Sequence, residues 1–201
     1  MGYGPGENGV PPAILDGDEN AILDYRFSAS EKLTWYFDHH VSAFPTEAER
    51  TEFTRRAALT PRRAFHDGTY GSCTKLIVDV AKAEFGLTFD GMDKLIYWAD
   101  MIDRAAFPSA QMAVDRKEPV LKLMAVVEAV GNADFIAQMV PRLEKQTIEE
   151  VAESEDVIAL YAPMAAIHEA FVARVKAVAK ESKGVVLVDL ADEISESAAK
   201  F

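Results

Sequence analysis

Six side chains in this sequence have the types and spacing to act together: Asp24, Asp38, His39 and His40 near the start, and Asp100 and Asp103 farther along. Carboxylates and imidazoles are the donors that hold hard or borderline divalent ions, and imidazole tilts the choice toward manganese, cobalt, iron or zinc rather than calcium. Two such ions bridged by a carboxylate would bind a phosphate, lower the pKa of a bound water and stabilise charge on attacking and leaving oxygens. That is the chemistry of phosphoester or phosphoanhydride hydrolysis. A His-His pair after a strand is, taken alone, more often a structural strand end with hydrogen-bonded imidazoles.

The elements that must position these groups are legible around them. Leu33-Thr34-Trp35-Tyr36-Phe37 is an aromatic, apolar run that ends in Asp38-His39-His40, the pattern of a buried strand delivering side chains at its C-terminal end, where open α/β sheets place ligands. Ala21-Ile22-Leu23-Asp24-Tyr25 is a second short strand, so the two are expected as neighbours in one parallel sheet. Ser28 to Lys32 between them resembles a capped helical turn. Residues 47–58 are helix-permissive and are interrupted by Thr60-Pro61-Arg62-Arg63. The stretch from His66 to Thr74 is a Gly-rich loop leading into a helix with Leu76, Ile77, Val80 and Ala81, which Ser72 or Thr74 could cap. A helix over 90–103 buries Leu95, Ile96, Trp98, Ala99 and Ile102, and puts Asp100 and Asp103 on neighbouring parts of one surface.

Beyond Glu118 the pattern is helical over 120–130, 133–143, 148–152 and 156–183. The last of these carries a broad apolar stripe that includes Val157, Leu160, Ile167, His168 and Phe171. Gly184 ends it, and residues 185–190 read as a strongly apolar strand in need of a sheet to join. The fold class is therefore α/β, a parallel sheet with flanking helices followed by a helical region. Three segments are expected: 1–108, 109–183 and 184–201. The opening Gly- and Pro-rich residues, 3–6 among them, are turn or loop chemistry.

Composition narrows the function classes. With 201 residues, 49% hydrophobic and 27% charged, the chain can bury a real core. Its 33 acidic and 21 basic residues give a net charge of −12, which disfavours nonspecific binding to nucleic acid or anionic membrane. No apolar run is read as approaching the roughly 18–20 residues that span a bilayer, and the start lacks the pattern of a signal peptide, so the cytoplasm is the expected location and no membrane partner is expected. A single cysteine, Cys73, excludes an internal disulfide and a thiolate-cluster zinc site.

Ile22-Leu23-Asp24-Tyr25 followed by Trp35-Tyr36-Phe37-Asp38-His39-His40 resembles the second and third motifs of the DHH phosphoesterase superfamily. Gly71-Ser72-Cys73-Thr74 before a helix, then Trp98-Ala99-Asp100-Met101-Ile102-Asp103, resemble members of this group in order and spacing, so that the likeness spans about residues 20–108. The resemblance implies a metal-dependent phosphoesterase with manganese as the first expectation and magnesium, cobalt or zinc as alternatives. Substrates of the family class include phosphorylated small molecules, short oligonucleotides, cyclic dinucleotides and polyphosphate. Residue by residue, it implies Asp24 as the carboxylate bridging two ions, His39 as a ligand and His40 as the group facing the substrate phosphate. Asp38 would orient an imidazole; Asp100 is the first choice for the fourth-motif ligand, with Asp103 the alternative.

The chain departs from the family pattern in lacking a His-x-Asp-x-Asp-like first motif and a Gly-Gly-Gly-His-like C-terminal domain; Asp16-Gly17-Asp18 lies too close to the second motif to serve. The resemblance therefore implies an incomplete DHH domain, 184–201 as the start of a truncated second domain, and a fragment that is weakly active or inactive. An exposed sheet edge is expected to invite association with another copy. Two other classes compete: a noncatalytic nucleotide- or phosphate-binding module, and a helical interaction module built on the region after Glu118. Among the remaining polar groups, His66 is expected to make local hydrogen bonds, His168 to pack, and Arg26, Arg62 and Arg63 to be exposed. Cys73 has no general-base partner nearby in sequence, and Trp35, Tyr36 and Phe37 are most simply core.

Overall fold

The structure, a computed structural model, describes residues 10–60 and 63–190; Arg62, residues 3–6 and the segment beyond 190 lie outside the described residues. The chain is mixed α/β and divides into two compact units, Met1–Pro108 and Ser109–Phe201.

In the first unit the strands are β1 (Ala21–Leu23), β2 (Trp35–Asp38) and β3 (Ala64–His66), and the helices are α1 (Glu47–Leu59), α2 (Cys73–Phe85) and α3 (Asp93–Asp103). All three strands run parallel in the order β1-β2-β3, with Ile22 opposite Tyr36 and Asp38 opposite His66. The three C-terminal strand ends therefore lie side by side. β3 is absent from the sequence reading, which places His66 at the start of a loop. Three residues carry no periodic pattern, and Ala64-Phe65-His66 becomes a strand only because β2 offers its backbone as a template. The helical turn expected at residues 28–32 is instead an isolated turn closed by the Leu33 N–H on the Ser30 carbonyl at 3.1 Å.

Alternation along β2 decides what faces where. Tyr36 and Asp38 point to the buried side, where Tyr36 joins Leu15, Ile22, Tyr25, Phe27, Leu33, Ala43 and Phe44 in the core. Trp35 and Phe37 are half-buried on the opposite face, where Phe37 stacks on Phe65 at 5.1 Å and the Arg63 guanidinium covers Trp35 at 5.0 Å. α2 packs on β2 and α3, while α1 packs on β3. Ser72 caps α2 by accepting the Lys75 N–H, and Gly86 ends it in the left-handed conformation at φ 65°.

The second unit contains α4 (Ala110–Asp115), α5 (Pro119–Val130), α6 (Ala133–Leu143), α7 (Ile148–Ala152), α8 (Glu155–Val178), β4 (Lys180–Ser182) and β5 (Val185–Leu187). Its core is α5, whose Val120, Leu121, Leu123, Ala125 and Val126 are buried where it packs on α7 and α8. Two expectations fail here. The long helix stops at Val178, and only Val157 of its apolar residues is buried, leaving Ile158, Leu160 and Ile167 exposed. The apolar strand after it joins no parallel sheet; β5 folds back antiparallel on β4. The physical cause is the two-residue loop Lys183-Gly184, in which both residues take left-handed φ values of 52° and 77°, the requirement of a tight hairpin turn. α8 also corrects the reading of apolar runs: at 24 residues and a mean hydropathy of 1.3 in its most apolar stretch, 6% of it buried, it is long and apolar enough by composition to cross a membrane. The uninterrupted apolar run is shorter, because His168-Glu169 and Arg174 break it inside the helix.

Candidate metal centre

The C-terminal ends of β1 and β2 bring Asp24, His39 and His40 together, each with a ligand atom within 4.8 Å of the others. Asp24 follows β1 directly and keeps its N–H on the Phe37 carbonyl at 2.9 Å, continuing the ladder. Its φ of 57° is left-handed, which costs a non-glycine residue on the order of 1 kcal/mol and turns the chain sharply at the carboxylate.

Asp38, fully buried, organises both imidazoles. Its Oδ1 accepts the backbone N–H of His39 at 2.8 Å, that of His40 at 3.2 Å, and the His40 Nδ1–H at 2.7 Å. Its Oδ2 lies 3.1 Å from the Tyr36 hydroxyl, which is also 3.0 Å from the Tyr25 carbonyl. The carboxylate accepts only, so the His40 proton sits on Nδ1 and the lone pair of that ring on Nε2.

His39 is held differently. Its Nδ1 lies 3.1 Å from the carbonyl of Tyr70, and a carbonyl cannot donate, so Nδ1 carries the proton. Its Nε2 is buried without a hydrogen bond, 3.3 Å from Asp24 Oδ1 and 3.4 Å from Asp103 Oδ2. Two carboxylates beside an imidazole nitrogen are the kinds of donor that hold a divalent cation. Two ligands bound at about 2.1 Å to one ion and subtending 90–110° are roughly 3.0–3.4 Å apart, which matches these separations. Electrostatics agree: burial raises the Asp24 pKa above its usual 3.8, the Asp103 charge raises it further, and the two histidines oppose the shift. Asp24, His39 and His40 thus form one group of possible ligands, and Asp103 faces the His39 Nε2 beside it.

Of the two α3 carboxylates, Asp103 is the one that faces His39. Asp100 is engaged elsewhere: its Oδ1 accepts the hydroxyl of the buried Ser72 at 2.6 Å, and its Oδ2 accepts from Arg104 at 3.2 Å. His66 bonds the His40 carbonyl at 2.9 Å and packs edge-on against Phe44, while His168 bonds the Val114 carbonyl at 2.7 Å in the second unit. Cys73 is buried, its Sγ 3.4 Å from the Phe37 carbonyl, and burial first of all, helped by the Asp24 charge, pushes the thiol up to about 12. Nucleophilic thiolate chemistry is thereby disfavoured at neutral pH.

The sequence reading missed Tyr36 and Tyr70 as parts of the site. Tyr36 had a signal, since it stands two residues before Asp38 and hence on the same strand face. Tyr70 contributes only its carbonyl, which no side-chain pattern reveals. Comparison with protein-family models, curated proteins and solved structures finds no match.

Proposed function

We propose that this chain is a metal-dependent phosphoesterase of the DHH type, hydrolysing phosphodiester or phosphoanhydride bonds in a phosphorylated small molecule, short oligonucleotide, cyclic dinucleotide or polyphosphate. The observation that carries the reading is the buried His39 Nε2, left without a hydrogen bond and turned toward two carboxylate oxygens. A divalent ion, manganese first, supplies Lewis acidity and a lowered pKa for bound water when it occupies these donors. Asp24 and Asp103 supply negative charge that offsets the ion, and His39 supplies the neutral donor. His40, its Nδ1–H held by Asp38, keeps Nε2 available to take or give a proton beside the substrate phosphate.

The donors assigned to the ion, two carboxylates and one imidazole, suffice for one ion and not for two, so turnover by this chain is expected to be weak. The experiment is calorimetric titration of the full chain with Mn2+, alongside release of nitrophenolate from bis(p-nitrophenyl) phosphate. One Mn2+ bound with slow release, both lost in Asp24→Ala, supports the reading. No Mn2+ binding in the wild type overturns it, and binding without any hydrolysis favours the noncatalytic phosphate-binding alternative.

A further inference from the structure

His39 is supported from two sides by elements far apart in sequence. The Tyr70 carbonyl, in the loop before α2, holds its Nδ1–H, and Asp103, in the last turn of α3, faces its Nε2. Tyr70 is tied to α2 through its hydroxyl on Asp79 at 3.1 Å, and α2 packs on α3; a direct side-chain link between the loop and α3 adds to this. That link lies one turn back on α3. Asp100 Oδ1 takes the Ser72 hydroxyl at 2.6 Å, and Ser72 is fully buried; Asp100 Oδ2 takes Arg104, whose side chain lies flat across Gly71. The fit there is tight, since a Cβ at residue 71 would overlap Arg104 Cδ. Tyr70, Gly71 and Ser72 are consecutive, so the clamp on two of them fixes the carbonyl of the third.

We propose that Asp100 is a positioning residue of the metal centre, clamping the loop before α2 to α3 so that the Tyr70 carbonyl and the Asp103 carboxylate hold the His39 ring in one tautomer and one orientation. The inference rests on the metal-binding reading for its consequence, though not for its geometry. Both Asp100 oxygens accept hydrogen bonds, from Ser72 and Arg104, and it is Asp103 that faces His39. Partners that orient a metal-binding histidine typically change affinity by roughly 10–100-fold when removed.

Two readouts on the full chain test the clamp. The first is the nitrogen chemical shifts of the His39 imidazole in the metal-free protein, which report the tautomer directly. The second is Mn2+ affinity, read by the loss of the free-ion resonance signal. The wild type is expected as a single Nδ1–H tautomer. Asp100→Ala is expected to mix tautomers and weaken Mn2+ binding by roughly 10–100-fold. Asp100→Asn, whose Oδ1 still accepts from Ser72, is expected to lose less, and Gly71→Ala, which expels Arg104 without touching Asp100, to fall between wild type and Asp100→Ala. A merely structural role would lower thermal stability and leave the tautomer alone. The proposal is overturned if the variants that fold keep the wild-type tautomer and bind Mn2+ within about twofold of wild type, and should Asp100→Ala not fold, Asp100→Asn and Gly71→Ala decide it. If the wild type binds no Mn2+, the metal reading fails while the tautomer measurement still judges the clamp.

Discussion

Replacing Asp38 tests the accounting of the site most severely, because the alanine and asparagine variants should differ by several-fold in cost. Asp38 is fully buried, and its Oδ1 alone answers three donors: two backbone N–H groups and the His40 Nδ1–H. Asp38→Ala strands all three at a partly buried strand end. A donor left without a partner costs about 1–3 kcal/mol, and the part of the site open to water recovers some of that, so a total of about 3–5 kcal/mol is expected.

Asp38→Asn should be far milder. The amide oxygen can take the place of Oδ1, and the amide nitrogen can take the place of Oδ2 and donate to the Tyr36 hydroxyl oxygen, which itself donates to Tyr25. What is lost is the charge assistance to these bonds, worth about 1 kcal/mol. In a unit of this size 1 kcal/mol moves the midpoint by roughly 4–8 °C, so Asp38→Asn should lower Tm by about that much and Asp38→Ala by at least about three times more. Scanning calorimetry of the metal-free proteins at neutral pH reads both. Equal losses in the two variants would refute the reasoning, because they would mean that the charge, not the acceptor count, holds this corner together.

Asp103→Asn should trade binding for stability. The Asp24 pKa is raised by burial and then by Asp103, so the folded state holds the Asp24 proton more tightly than the unfolded chain does, and metal-free stability falls as pH rises above 3.8. Removing the Asp103 charge should shrink that fall and raise the neutral-pH Tm while weakening Mn2+ binding, and a lower metal-free Tm at pH 7 would contradict the electrostatic argument. In the second unit, neighbouring residues of one helix should behave oppositely. Val157→Ala, at a fully buried position, should cost on the order of 2 kcal/mol in urea unfolding, while Ile158→Ala, 52% exposed, should cost well under 1 kcal/mol; comparable costs would mean that α8 is covered where it now looks bare.

Much of the first unit was legible before any coordinates. β1 and β2 announce themselves as apolar runs ending in acid and imidazole, and α2 and α3 by their apolar periodicity, because each buries one face against the rest of the unit. The cluster of Asp24, His39 and His40 follows from two adjacent parallel strands ending at the same level. β3 and β4 were not legible, since Ala64-Phe65-His66 and Lys180-Glu181-Ser182 have no apolar pattern of their own and pair only because a neighbouring strand or a turn presents a backbone; residues 185–187 read as a strand, but not as half of a hairpin. α8 misled in the other direction: its apolar residues spell a helix, but only a partner surface decides whether they are buried.

The sequence by itself determined which residue types could meet and at which strand ends, because alternation along a strand and parallel pairing are local rules. Only the tertiary structure decided that Asp103 rather than Asp100 turns its carboxylate toward His39, and that Asp100 instead holds Ser72 and Arg104. Residues three apart on a helix point in directions only about 60° different, so their roles are settled by how α3 docks against the loop before α2, a contact that no stretch of sequence encodes alone.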